Sequence, residues 1–315
     1  MARRYTTEDL VNDVRSVLDI ETAEAISDAE DILPALNRAQ DRAASILSRQ
    51  YNSPLLTSHT LTFVSGTDAY LLPEDILEDK VLYVEITSSG SNGKYYRLDP
   101  IDIKNATDYY YNSTTQYPVG WFIKGKYIVF VPTPNGTSTA RIWYQQDPLP
   151  LVETEGRITT VNDSGNYIYV NELGANLSTS SDELASYVNI IDGDSGVRKG
   201  SLQIQSIAST KITFKTSPQR SSVFGLTVDA STSDITVAVD DYICLVTGTC
   251  IPFLKKPVSN YIIQYAVFEL NRKLGRDVTA EYQQLTDLEK DIKKSWSGRD
   301  NVMSVSNRNR QWRRF

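Results

Sequence analysis

The chain has 315 residues, 40% of them hydrophobic and 23% charged, with a formal net charge of −7. That is the composition of an ordinary globular protein with room for two or three domains and a substantial core, and it excludes disordered, collagenous and disulfide-stapled classes. Two cysteines, Cys244 and Cys250, are too few for a disulfide framework or a four-cysteine zinc site and read as buried thiols rather than a bridge; no apolar run is long enough to span a membrane, and no apolar stretch follows Arg3 and Arg4 as a signal peptide requires.

The first expected element is a short helix in which Leu10, Val11, Val14, Val17 and Leu18 recur at helical spacing. Thr6 or Thr7 is its cap, and Glu8 and Asp9 favour its amino end. A second helix follows from Leu36, where Ala39, Ala43, Ile46, Leu47 and Tyr51 line one face while Arg38, Asp41, Arg42 and Arg49 fall off it.

From Thr57 the period changes to alternation punctuated by turns. His59 to Val64, the turn Ser65-Gly66-Thr67-Asp68 and Tyr70 to Leu72 read as a hairpin. Further strands are expected at 81–87, 95–98, 120–123, 127–131 and 139–145, with Lys124-Gly125-Lys126 and Pro132 to Gly136 as turns. Past Pro148-Leu149-Pro150, where two prolines discourage continuous pairing, a second set covers 157–161, 167–170, 187–191, 202–207, 211–214, 235–239 and 242–246. Such regular spacing suggests a small barrel or sandwich.

Helical period returns at Tyr261. Ile262, Ile263, Ala266, Val267, Leu270 and Leu274 wrap most of the circumference, so this helix is expected to be buried and to end at Gly275. Asp277 or Thr279 caps a last helix, in which Tyr282, Leu285, Leu288, Ile292 and Trp296 step by three or four before Gly298. The closing residues 299–315 hold five arginines against one aspartate, net +4, which leaves −11 on the rest of the chain. This tail reads in three ways: a solvated segment, an arm docking on another protein through Trp312 and Phe315 with the arginines pairing to carboxylates, or a nucleic-acid contact.

Helices with one apolar face cannot bury it alone, so the terminal pairs are expected to pack on each other. The fold class is α+β: a helical bundle formed by residues 1–56 and 254–297, an inserted all-β region with parts at 57–150 and 151–253, and an extended C-terminal arm at 298–315.

No catalytic constellation emerges. His59 is the single histidine and sits on an alternating strand pattern; the phosphate-loop, dinucleotide, zinc-protease and nucleophile-elbow motifs are missing. Glu153 with Glu155, and Asp192 with Asp194, read as solvated loop carboxylates rather than a glycosidase pair. Asp192-Gly193-Asp194-Ser195-Gly196 lacks the downstream glutamate of a calcium loop and reads as a tight turn. Tyr109, Tyr110 and Tyr111 read as locally packed, and the acceptor-like Asn105 and Asn112 match by chance. No enzyme activity, cofactor or metal is expected.

The block Tyr117-Pro118-Val119-Gly120-Trp121-Phe122-Ile123 through Tyr127 to Pro134, then Ala140-Arg141-Ile142-Trp143-Tyr144, resembles structural proteins at the head-tail junction of tailed bacteriophages. So do Tyr265 to Gly275, Trp296 to Arg299 and Asn307-Arg308-Asn309. The similarity is one of order and style over most of the chain, and it points to the head-to-tail adaptor, or connector, family. The resemblance implies a virion protein made in the host cytoplasm and repeated in a ring, usually of twelve copies, beneath the portal. Its partners would be itself, the portal, a tail or nozzle protein, and passing double-stranded DNA without sequence-specific binding; no membrane is involved. The arm residues Arg299, Arg308, Arg310, Trp312, Arg313, Arg314 and Phe315 would dock on the portal or a neighbouring subunit. The long β insertion departs from the smallest, nearly all-helical adaptors. An acidic body suits a DNA passage, since few basic anchors hold the polyanion back. The alternative is a tail or baseplate protein whose β insertion binds a host-surface glycan; a carbohydrate-active enzyme ranks third.

Overall fold

The computed structural model describes residues 5–19, 26–50, 53–73, 75–87, 95–104, 117–136, 138–180, 183–216, 235–252 and 258–297. It is an α+β protein whose described residues divide into two compact units, one drawn from 1–46 and 149–295, the other from 47–148.

The first unit opens with α1, Thr7–Leu18, capped by Thr6. The Thr6 hydroxyl accepts from the Asp9 amide at 3.3 Å and the Asp9 carboxylate accepts from the Thr6 amide at 2.9 Å, so two of the amino-terminal donors of the helix are satisfied reciprocally. Leu10, Val14 and Leu18 are buried and α1 packs on α3, Val258–Lys273. Val17, expected on the same face, is instead exposed. A π-helical turn at Asp28–Ile32 runs directly into α2, Leu33–Ser48. Ala35, Leu36, Ala39, Ala43 and Leu47 of α2 are fully buried.

Helix α3 buries Val258, Tyr261, Ile262, Ala266, Val267 and Leu270. It ends where Gly275 takes φ +70° and the Arg276 amide bonds back to the Asn271 carbonyl at 3.0 Å, a left-handed stop that a residue with a Cβ adopts at a cost. Helix α4, Thr279–Ser297, follows. Arg38 of α2 pairs with Glu269 of α3 at 2.7 Å, Lys273 pairs with Asp31, and the Tyr261 hydroxyl donates to Glu289 of α4 at 3.0 Å.

The same unit contains a closed six-stranded barrel of order β10-β11-β12-β9-β8-β13. The strands are β8 Thr154–Asn162, β9 Tyr167–Val170, β10 Tyr187–Ile191, β11 Arg198–Ala208, β12 Lys211–Phe214 and β13 Tyr242–Leu245, and every pairing is antiparallel. Closure removes the sheet edge. Its interior is Ile158, Ile168, Val188, Ile190, Leu202, Ile204, Ile212, Phe214 and Ile243, β-branched for the most part, as a pleated and crowded wall favours. The expected strand at 235–239 is not one. Ile235 is buried in the barrel core, but the Val237 amide turns back on the Ile235 carbonyl at 2.8 Å and Asp240 has φ +77°, so the segment plugs the barrel without pairing.

The chain enters and leaves the barrel at one place. Thr249 donates its amide to the Pro150 carbonyl at 2.8 Å, and the Thr7 amide donates to the Cys250 carbonyl at 2.8 Å. Asn37 of α2 bonds both backbone groups of Leu151, at 3.0 and 2.6 Å, and the Gln40 amide donates to the Leu149 carbonyl at 2.8 Å. These two side-chain amides satisfy backbone that no strand partner reaches.

The second unit is a seven-stranded sheet of order β1-β7-β3-β4-β5-β6-β2. Its strands are β1 Leu56–Thr62, β2 Ala69–Leu71, β3 Ile76–Thr87, β4 Tyr95–Pro100, β5 Gly120–Lys124, β6 Tyr127–Val131 and β7 Thr139–Gln146. The expected β1–β2 hairpin does not form: β1 pairs along its length with β7, and β2 pairs with β6. The turn itself is present, with the Thr67 amide on the Val64 carbonyl at 3.0 Å, but the Phe63 amide is taken by Ser138 at 2.8 Å. The two strands are thus the outer edges of a curled sheet. Between them Phe63 packs on Phe130 with centroids 4.7 Å apart and on Tyr70 at 5.6 Å, and the Tyr70 hydroxyl accepts from the Val64 amide at 2.8 Å.

Candidate docking surfaces

The arm residues Arg299, Arg308, Arg310, Trp312, Arg313, Arg314 and Phe315 lie outside the described residues, as do Tyr109, Tyr110, Tyr111, Asn105 and Asn112. His59 is exposed on β1.

The Asp192 segment is a tight turn between β10 and β11. The Asp192 carboxylate accepts from the Ser195 and Asp194 amides at 2.5 and 3.0 Å, and the Gly196 amide donates to the Asp192 carbonyl at 2.8 Å. These backbone donors, Ser195 foremost, together with Lys199 hold its acid well below the usual carboxylate range. Lys199 stands 3.0 Å from Asp192 and 2.8 Å from the buried Asp241, which also accepts from the Ala238 amide at 2.7 Å. An ammonium therefore occupies the place a calcium reading gives to a metal, and no metal-binding cluster occurs among the described residues.

Glu155 corrects the sequence reading. It belongs to β8 and is only 1% exposed, with Oε1 accepting from the Asn176 side chain at 2.9 Å. Gly174 fits so closely that a Cβ there would lie 1.9 Å from Oε2. Burial, with the charge of Glu153 adding to it, pushes the Glu155 acid upward. Cys244 and Cys250 are both buried and free; a hydrogen bond with Cys250 and burial raise the Cys244 thiol, so Cys244 is not a reactive thiolate.

Helix α4 carries two different surfaces. Tyr282, Glu289 and Lys293 project from one side of its wheel, and Gln284, Asp287, Leu288 and Asp291 from the opposite side. On the first side the rings of Tyr261, Tyr265, Phe268 and Tyr282 form a chain with successive centroids 6.0, 6.3 and 6.2 Å apart, and Tyr282 is 64% exposed. Arg38, Arg42, Lys273 and Lys293 surround it with side chains 52–67% exposed, while their partners Glu269, Glu289 and Asp31 are 13–23% exposed. The outward sign of this ridge is positive. Burial and the Glu289 charge push the Tyr261 hydroxyl upward, so it remains a donor. On the second side α1, α3 and α4 enclose a groove of about 520 Å³, with Val17, Ile263 and Leu288 as apolar lining and Asp13, Asp287 and Asp291 as charged lining. Sequence periodicity gave these helices their buried faces but left both the ridge and the groove unread.

The outer face of the sheet carries a ladder of rings and guanidiniums. Tyr83 and Trp143 stack with centroids 5.6 Å apart at 21°. Arg97 lies over Tyr83 at 5.2 Å, Arg141 over Tyr95 at 3.9 Å, and the Trp143 indole donates to Glu85 at 2.9 Å. The stacking, cation–π and hydrogen-bonding capacity of Tyr83, Tyr95 and Trp143 is thus spent within the sheet, while Tyr96 and Tyr127 are exposed.

The family model described as SU10 adaptor protein matches residues 5–174, a span that takes in α1, α2, all seven strands of the sheet and the first two strands of the barrel. No curated protein matches the chain. With more than half its length under that model, and with helices leading into the β assemblies in the order just described, the chain belongs to the SU10 adaptor protein family of structural phage adaptors.

Proposed function

We propose that the chain is a head-to-tail adaptor: copies form a ring beneath the portal, the ring continues the DNA channel toward the tail or nozzle protein, and the arm at 298–315 fastens the joint through Arg299, Arg308, Arg310, Arg313, Arg314, Trp312 and Phe315. The family match over 5–174 is the observation that carries this reading. The charge distribution supports it, since a body of −11 offers passing DNA few anchors and an arm of +4 suits an acidic protein surface. A ring needs one face of each subunit to meet a different face of the next, and an arm adds contact area that a compact body lacks.

Deleting residues 299–315 is expected to leave a folded chain that no longer joins portal-bearing heads, with Trp312→Ala costing more attachment than any single arginine change, because a buried aromatic anchor outweighs a rim charge. Heads that take up the truncated chain at the normal level would refute the docking role. Electron microscopy of the chain with its portal tests ring formation directly.

A further inference from the structure

The two sides of α4 are complementary. One is aromatic, with Tyr282 exposed, and outwardly cationic; the other is a groove with apolar lining and aspartates. We infer that the Tyr265–Phe268–Tyr282 ridge of one copy seats in the α1–α3–α4 groove of the next copy, so that the chains associate head to tail. This rests on the ring reading above and names the surfaces that would build the ring.

Three observations carry it. Tyr282 is 64% exposed and Val17 is 51% exposed, so each side offers a large apolar group to water, and burying them against each other recovers that area. A groove of about 520 Å³ falls in the size range of pockets that enclose a compact ligand and is ample for a tyrosine ring. The signs then exclude the symmetric alternatives. Ridge on ridge would gather Arg38, Arg42, Lys273 and Lys293 of both copies; groove on groove would gather Asp13 and Asp291 of both, Asp287 being already paired with Lys290 at 2.9 Å. Like charges juxtaposed at an interface cost affinity, whereas ridge in groove sets cation against carboxylate. Asp13 and Asp291 have no ion pair among the described residues, so an arriving Arg42 or Lys293 would meet unmet charge. Because the two surfaces lie on opposite sides of one helix, the contact is heterologous and passes from copy to copy, closing into a ring if the rotation closes.

The test uses the full chain and two variants at exposed positions, Tyr282→Asp on the ridge and Val17→Asp in the groove. Sedimentation over rising concentration is expected to show the parent chain associating and each variant alone remaining monomeric. Mixed, the variants are expected to give a one-to-one dimer and nothing larger, since each retains one intact face; recovery on mixing also shows that both are folded. A parent chain that stays monomeric up to high micromolar concentration, a variant that associates like the parent, or a mixture that stays monomeric would each overturn the inference. The two readings fail separately. If the dimer forms as expected but portal-bearing heads do not take up the parent chain, the adaptor reading is wrong and the interface stands. If heads take up the parent and Val17→Asp equally, and mixing gives no dimer, the interface is wrong and the adaptor reading stands.

Discussion

The barrel and the sheet meet the same requirement, a buried apolar interior, by different chemistry. In the barrel the strands close on themselves and the interior is filled by isoleucine, valine and leucine, with Phe214 as the one large ring of that cluster among the described residues. In the sheet the ends stay open, and the space between β1, β2 and β6 is bridged by Phe63, Tyr70 and Phe130, with Trp121 and Tyr144 further along. Closed walls bring opposing side chains near enough for short branched ones to touch; the curled sheet adds Phe63, Trp121, Phe130 and Tyr144 to its aliphatic core, and these larger rings reach across a wider gap. The polar groups differ as well. The barrel buries Asn189, which accepts from Ser201 at 2.7 Å and donates to the Gly248 carbonyl at 2.9 Å, and the Lys199–Asp241 pair. The sheet places its charged ladder on the outer face.

That contrast breaks most severely at Phe130. Phe130→Ala removes the ring that joins both edges of the sheet and leaves a cavity that aliphatic neighbours cannot fill, at a cost of about 3–5 kcal/mol. Hydrogen exchange is the measurement of choice: protection of Tyr127–Val131 is expected to collapse while Tyr187–Ile191 of the barrel keeps its own. Equal loss in both strands would show that the two β assemblies do not open as separate units.

Next in size is Lys199→Met, which tests the barrel's buried ions. Asp241 is 3% exposed, and without the ammonium its carboxylate is left among backbone donors alone. Removing one partner of a buried pair costs about 3–5 kcal/mol, with the lower end expected because Lys199 is partly open to solvent. The pH dependence carries the sign. The folded Asp192 acid lies below its ordinary 3.8, so its contribution is present above that value and lost as pH falls toward the folded one. Denaturant titrations from pH 5 downward are expected to show a shallower acid limb in Lys199→Met than in the parent.

Much of this architecture is legible in the sequence, and the failures have physical reasons. Strands such as 127–131 and 187–191 appear where they are expected, because short runs rich in β-branched and aromatic residues bounded by turn residues mark a strand whatever the partner, and both are buried along nearly their whole length. Pairing is not local: β1 finds β7 some eighty residues away, and nothing in the Ser65–Asp68 turn signals that its two flanks diverge. Ile235, Val237 and Val239 alternate like a strand, but Ile235 and Val237 serve as a plug and Val239 is exposed, since alternation marks apolar spacing and not hydrogen bonding. Glu155 reads as solvated because it stands two residues from Glu153 in a turn-rich stretch, whereas the chain places it behind Gly174. The ridge and groove escaped because helical period identifies the face turned inward and is silent on exposed residues such as Tyr282.

Glu155 supplies the smallest and most selective prediction. Its carboxyl has an ordinary value of 4.5 and a higher one in the fold, so below 4.5 it is neutral in both states and exacts no penalty. As pH rises through the window between the two values the unfolded chain ionises first, and stability declines until the folded carboxyl also loses its proton. Glu155→Gln keeps the acceptor facing Asn176 and cannot ionise, so it is expected to match the parent in acid and to exceed it progressively above pH 4.5. The difference should appear in the exchange protection of β8 and β13 and not in that of β6. A difference that is flat with pH would mean that Asn176 and the Gly174 backbone solvate the carboxylate as fully as water does, and that the barrel tolerates a buried charge at no cost.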